Sequence, residues 1–168
     1  MPAAYESVTD VAGLLARARE LSLRTLIFDV EPMIAWWDTS QQALDEGIAA
    51  ILAELGQLPE LQAVVFATNS ARRPSVLPSV PGLQISYRSS AGKPFQTAPY
   101  RGLPRPGAVI GDQVPTDGLL AYRLRFTFLH WNPPLAGVPR GPRAMQLIGR
   151  VVQPLLFSRT ASPESTTP

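Results

Sequence analysis

Apolar positions in this chain follow three rhythms. Short unbroken runs occur at Thr25-Leu26-Ile27-Phe28, Ala63-Val64-Val65-Phe66-Ala67, Ala108-Val109-Ile110 and Phe126 to Leu129, with a weaker one from Leu83 to Tyr87. Runs of this length bounded by polar residues are the pattern of strands buried on both faces. Elsewhere the spacing is helical. Val11, Leu14, Leu15, Ala18 and Leu21 predict a helix over 8–21, capped by Thr9 or Asp10. Leu44, Ile48, Ile51, Leu52 and Leu55 mark a second helix after Asp38, Thr39 and Ser40, with Gly56 placed to end it. A third opens at Thr116-Asp117 and runs to about Arg123, and a fourth spans Ala144 to Phe157 with Pro154 interrupting it. The remaining segments are punctuated by proline: Arg72 to Pro81, residues 95–106 (one helical turn at most) and His130 through Pro142. Strands alternating with helices predict an α/β fold, a doubly wound and mainly parallel sheet with helices on both faces. One domain over residues 1–157 is expected, followed by a disordered Ser/Thr/Pro tail over 158–168.

Composition narrows the chemistry more than the fold. Cysteine is absent, which excludes disulfides, thiolate metal sites and cysteine nucleophiles. A single histidine, His130, excludes polyhistidine zinc sites within one chain. The net charge is only +2 and the arginines are scattered along the sequence, so no nucleic-acid partner is expected. No apolar stretch reaches bilayer-spanning length and the first residues lack a charged-then-apolar leader pattern, which makes a cytoplasmic location the expectation.

Four strand ends carry polar groups: Asp29 with Glu31, Thr68 with Asn69, Lys93, and Asp112 with Asp117. Ligands of open α/β sheets bind beyond the carboxyl ends of the strands, where strand order reverses, so one edge can gather all four. A carboxylate nucleophile, a hydroxyl, an amide, a lysine and further carboxylates suit phosphoryl transfer assisted by Mg²⁺, a cation that takes oxygen ligands.

The order and spacing of these residues resemble the haloacid dehalogenase superfamily, and within it the small YqeG-type phosphatase branch. Asp29-Val30-Glu31-Pro32-Met33 answers to that branch's first motif, Asp-x-Asp-x-Thr. Thr68 in Phe66-Ala67-Thr68-Asn69-Ser70 answers to the second, and Lys93-Pro94 to the third. Gly111-Asp112-Gln113-Val114-Pro115-Thr116-Asp117 answers to the fourth and is the most specific match. The resemblance spans roughly residues 8–157 and implies a Rossmann-like core with minimal or no cap. It implies Asp29 as nucleophile and Mg²⁺ ligand, the backbone carbonyl of Glu31 and the side chain of Asp112 as further ligands, and Asp117 supporting the metal or holding Lys93. Thr68 and Lys93 would bind phosphate, with Asn69 beside them. The implied substrate is a phosphorylated small molecule or a lipid headgroup, since relatives of this branch include phosphatidylglycerophosphate phosphatases.

Two positions depart from the motif. The general acid/base aspartate is Glu31, longer by one methylene, and the threonine is Met33. A shift of about 1 Å at a reacting group can cost on the order of 10²-fold in rate. A domain that binds metal, phosphate or a protein partner without efficient turnover is therefore the alternative. Trp36 and Trp37 read as packing or loop cover, and His130 as structural or exposed. The 144–156 helix reads as core packing, with peripheral membrane contact as the other option.

Overall fold

The structure, a computed structural model, describes residues 4–132 and 140–157. Six parallel strands form one sheet in the order β1-β6-β5-β2-β3-β4. The strands are β1 (Tyr5–Val8), β2 (Thr25–Asp29), β3 (Ala63–Ala67), β4 (Gln84–Arg88), β5 (Gly107–Gly111) and β6 (Thr127–Trp131). The helices are α1 (Val11–Glu20), α2 (Gln41–Leu55), α3 (Leu119–Leu124) and α4 (Arg140–Leu156). This is a Rossmann-like α/β fold. From β2 the chain steps outward to β3 and β4, then returns to the opposite flank of β2 with β5. The switch point thus falls between β2 and β5.

Alternation along β2 explains the two layers. Leu26 and Phe28 point to one face with Val64, Phe66, Ala108 and Ile110, where α1 and α2 bring Leu14, Leu15, Leu44 and Ile48. Ile27 points to the other face with Val65 and Val109, where α3 supplies Leu120 and Leu124. Every residue of β2, β3 and β5 is buried. Burying each large aliphatic side chain contributes about 1.5–3 kcal/mol, so the unbroken apolar runs are a consequence of being covered on both sides. Phe28 and Phe66 stack across neighbouring strands with ring centroids 5.8 Å apart.

Helix starts follow the capping residues. The Asp10 side chain accepts from the Gly13 backbone N–H at 2.7 Å and opens α1. Ser40 accepts from Ala43 N–H at 3.2 Å and opens α2.

The expected element boundaries need correction in several places. The 8–21 helix begins only at Val11, because Tyr5–Val8 is a strand: it is an edge strand paired to β6, half-buried and too polar for the apolar-run criterion. Glu6 on β1 is ion-paired to Arg17 of α1, which secures that edge. The helix expected from Thr116 is preceded by a π-helical turn over Val114–Gly118, and α3 itself has six residues. Finally, α4 begins at Arg140 and continues through Pro154, which lies near its end and faces outward. One turn of 3₁₀ helix, Ala98–Tyr100, is all the regular structure between residues 95 and 106, as the prolines require. The loop predicted from His130 through Pro142 is shorter than expected, since β6 runs through Trp131 and α4 starts at Arg140; residues 133–139 and the predicted disordered tail at 158–168 lie outside the described residues.

Gly47, in the middle of α2, is where this helix meets the loop that follows β2. A Cβ built there would stand 2.0 Å from the backbone carbonyl oxygen of Ile34. Helix propensity alone would favour Gly47→Ala by about 1 kcal/mol, whereas overpacking against backbone costs about 1–3 kcal/mol. The clash wins: urea denaturation of Gly47→Ala is expected to show a net loss of stability, and a gain would contradict this packing.

Candidate functional site

Strand ends deliver the polar residues to one edge. Asp29 is the last residue of β2; Thr68 and Asp112 directly follow β3 and β5; Lys93 lies in the loop after β4. Asp117 comes from the π-helical turn, whose tight backbone is held by Asp117 N–H donating to the Gln113 carbonyl at 2.8 Å. Gly111 makes this approach possible, because a Cβ there would lie 2.4 Å from the Asp117 carboxylate.

At the centre sits Lys93, its side chain only 3% exposed. The ammonium donates to Asp29 Oδ1 at 2.8 Å and to Asp117 Oδ1 at 2.7 Å. Burial is the largest influence on this lysine and works against its charge. Attraction from Asp117 and Asp29, with their hydrogen bonds, together outweighs it and holds the group protonated. Asp29 experiences the opposite balance. Burial and then the neighbouring Asp117 charge raise its carboxyl well above the usual range, offset in part by Lys93, with Asp112 adding to the rise.

Asp29, Asp112 and Asp117 each present an oxygen within 4.8 Å of the others. Three buried carboxylates against one ammonium leave two negative charges if all are ionised. An all-oxygen donor set with that excess, beside an open cleft that admits water, fits a hard divalent cation. The side chain of Glu31 does not join this group. Its carboxylate accepts from the Thr68 hydroxyl at 2.7 Å and lies 3.9 Å from an Arg72 nitrogen.

The cleft has a volume of about 270 Å³, and Asp29, Glu31, Thr68, Lys93, Arg72 and Trp37 all contribute to its lining. Of the residues singled out in the sequence, all seven meet at this edge. Their present engagements differ from those expected in two respects. The Thr68 hydroxyl is occupied by Glu31, and Asn69 clasps the backbone of Lys93, accepting from its N–H at 2.8 Å and donating to its carbonyl at 3.1 Å. Asn69 thereby fixes the loop that carries the lysine.

Sequence reasoning missed Arg72. It donates to the carbonyls of Trp36 (2.9 Å), Thr39 (2.9 Å) and Ser40 (2.8 Å), joining the loop after β3 to the start of α2. Its guanidinium is the second cation of the cleft. Nothing in the local pattern distinguished it from the scattered arginines, save its position three residues after Asn69.

His130, read as structural or exposed, is half-buried at the end of β6. Its Nε2 lies 3.2 Å from the Asp112 carbonyl and its Nδ1 lies 2.7 Å from the Tyr5 hydroxyl. A neutral ring with the proton on Nε2 satisfies both contacts, Nε2–H donating to the carbonyl and Nδ1 accepting from the phenol. Burial lowers its pKa below the ordinary 6.5.

Against known proteins, no family model, curated protein or solved structure matches this chain.

Two outcomes are expected. Lys93→Met leaves Asp29 and Asp117 facing each other without their cation, and loss of one partner from a buried ion pair costs about 3–5 kcal/mol. Urea denaturation at neutral pH should show a loss of that size; under 1 kcal/mol would contradict the burial of this pair. For His130 the depressed pKa means that the unfolded chain takes up a proton before the folded one. Stability contributed by the neutral ring is therefore present above the unfolded value of 6.5 and is lost as pH falls through the folded value. The stability of the wild type relative to His130→Gln should fall over that window; a pH-independent difference would refute the assignment.

Proposed function

We propose that this protein is a Mg²⁺-dependent phosphomonoester hydrolase acting through an aspartyl-phosphate on Asp29. The single observation that carries this reading is the position of Asp29. It ends a central strand at the sheet's switch point, opens onto the cleft, and shares a buried cluster with Lys93, Asp112 and Asp117. The motif resemblance to the haloacid dehalogenase superfamily agrees with it.

Asp29 and Asp112 would hold Mg²⁺, with Asp117 supporting the site and the Glu31 backbone carbonyl the expected further ligand. When bound, the cation supplies positive charge that offsets repulsion between a carboxylate and a phosphate and keeps Asp29 ionised. Asp29 then attacks phosphorus while the ester oxygen leaves, taking a proton from Glu31. Water, deprotonated by Glu31, attacks the aspartyl-phosphate, releasing inorganic phosphate and regenerating Asp29. Lys93 neutralises charge on the transferring oxygens and holds Asp29 in place. Arg72 adds a second positive charge at the cleft. The cleft volume of about 270 Å³ suits a phosphate and its first substituent, with the rest of the substrate projecting outward. A soluble phosphomonoester or a lipid headgroup phosphate meets that description.

One observation favours a second reading, a domain that binds cation and phosphate with little turnover. The Glu31 side chain is 9% exposed, and its carboxylate is tied to Thr68, with Ser70 Oγ at 3.5 Å and Arg72 beside it. A proton-transfer group held by three neighbours is poorly placed to reach a leaving group.

Hydrolysis of p-nitrophenyl phosphate separates the two. Mg²⁺-dependent turnover that falls to the no-enzyme rate in Asp29→Asn is expected. Glu31→Asp, which shortens the proton donor toward the motif length, should raise turnover, by up to roughly 10²-fold. Mg²⁺ binding without turnover in the wild type and in Glu31→Asp would decide for the binding reading.

A further inference from the structure

A second basic cleft lies away from the candidate site, and it shares no residue with it. Its walls are the 95–106 segment and the end of α3, and its volume is about 630 Å³. Thr97, Arg101, Arg105, Arg123, Leu124 and Arg125 line it. Arg105 and Arg125 precede the first residues of β5 and β6 by two positions each, at the opposite ends of these strands from Asp112 and His130. Four exposed arginines therefore face one concavity, with no carboxylate among the described residues that line it. Nor does the chain nearby supply one: from Lys93 to Trp131 the only acidic residues are Asp112 and Asp117, both buried in the acid cluster.

The four arginines divide into two kinds. Arg105 and Arg123 are fixed by the protein. Arg105 donates to the Leu124 carbonyl at 2.8 Å and lies over the Phe126 ring at 4.9 Å, and Arg123 donates to the Pro94 carbonyl at 2.9 Å. The guanidiniums of Arg101 and Arg125 have no hydrogen-bond or ion-pair partner among the described residues. Arg125 also takes a left-handed backbone conformation (φ 56°) to end α3, which sets where its side chain departs. Like charges gathered this way repel one another, and negative charge bound in the cleft would relieve that repulsion.

We propose that this cleft is a binding site for a small polyanion carrying two or more phosphate groups. Guanidiniums present planar forks that match phosphate oxygens, and several forks around one cavity call for several phosphates on one ligand. The cavity falls within the size range of small-ligand sites. Among the described residues no aromatic side chain lines it, so they offer no base-stacking platform of the kind a single-stranded nucleic-acid groove uses. Leu124 is the one apolar residue among the described residues that line it, too little surface for an acyl chain.

The test is calorimetric titration with inorganic tripolyphosphate in EDTA, using the full chain. The double variant Arg101→Gln/Arg125→Asn removes two forks that bond nothing in the protein, and asparagine tolerates the left-handed position. Saturable one-to-one binding is expected, weakened at least about tenfold in the double variant, reduced by added salt, and retained in Arg72→Gln. Should the double variant fail to fold, Arg101→Gln alone must show a measurable part of the loss. Absence of saturable binding, binding unchanged by these substitutions, or binding lost only in Arg72→Gln would overturn the proposal. Preference for a single-stranded RNA 12-mer or for anionic phosphatidylglycerol vesicles over tripolyphosphate, through the same arginines, would also overturn it by assigning the cleft to a macromolecule.

Discussion

Burying one ammonium among carboxylates governs the geometry at the sheet edge. Lys93 can lie in the interior only because Asp29 and Asp117 each accept from it, and those carboxylates can lie there together only because the lysine stands between them. Each constraint propagates outward. Asn69 clasps the lysine's backbone, Gly111 leaves room for Asp117, and the π-helical turn brings Asp117 back over the end of β5. Asp112 brings a third carboxylate oxygen to within 4.8 Å of those of Asp29 and Asp117.

The fold serves this cluster by rigidity. β2, β3 and β5 are buried throughout and packed from both faces, so their ends move little relative to one another. Residues separated by up to 88 positions, Asp29 and Asp117, thus meet within hydrogen-bonding reach of one lysine. The second carboxylate in the cleft, Glu31, belongs to a different network, that of Thr68, Ser70 and Arg72. Separation of the two networks lets the Glu31 side chain be held at the cleft without entering the acid cluster.

Central strands and the residues at their ends were legible in the sequence because complete burial leaves an unmistakable apolar run. Six of the seven polar residues follow such runs, and Lys93 follows the weaker run of β4, an edge strand; all seven meet at one edge. Edge strand β1 was not legible: Tyr5-Glu6-Ser7-Val8 is only partly covered, so its composition stays mixed, and its pairing to β6 depends on a segment more than 120 residues away. Arg72 was missed for a related reason. Its partners are backbone carbonyls at Trp36, Thr39 and Ser40, and a carbonyl carries no residue signature. The arginine cleft escaped as well, since Arg101, Arg105, Arg123 and Arg125 look scattered until the 95–106 segment folds against α3.

Binding of Mn²⁺, a spin-active stand-in for Mg²⁺, followed by electron paramagnetic resonance on the wild type and on Asp112→Asn, addresses the acid cluster most directly. The account predicts one site per chain in the wild type, displaced by Mg²⁺ and strongly weakened by the substitution, with the folded content of both proteins unchanged. No saturable binding at millimolar Mn²⁺, or binding indifferent to Asp112→Asn, would contradict the reading of Asp29, Asp112 and Asp117 as a cation centre.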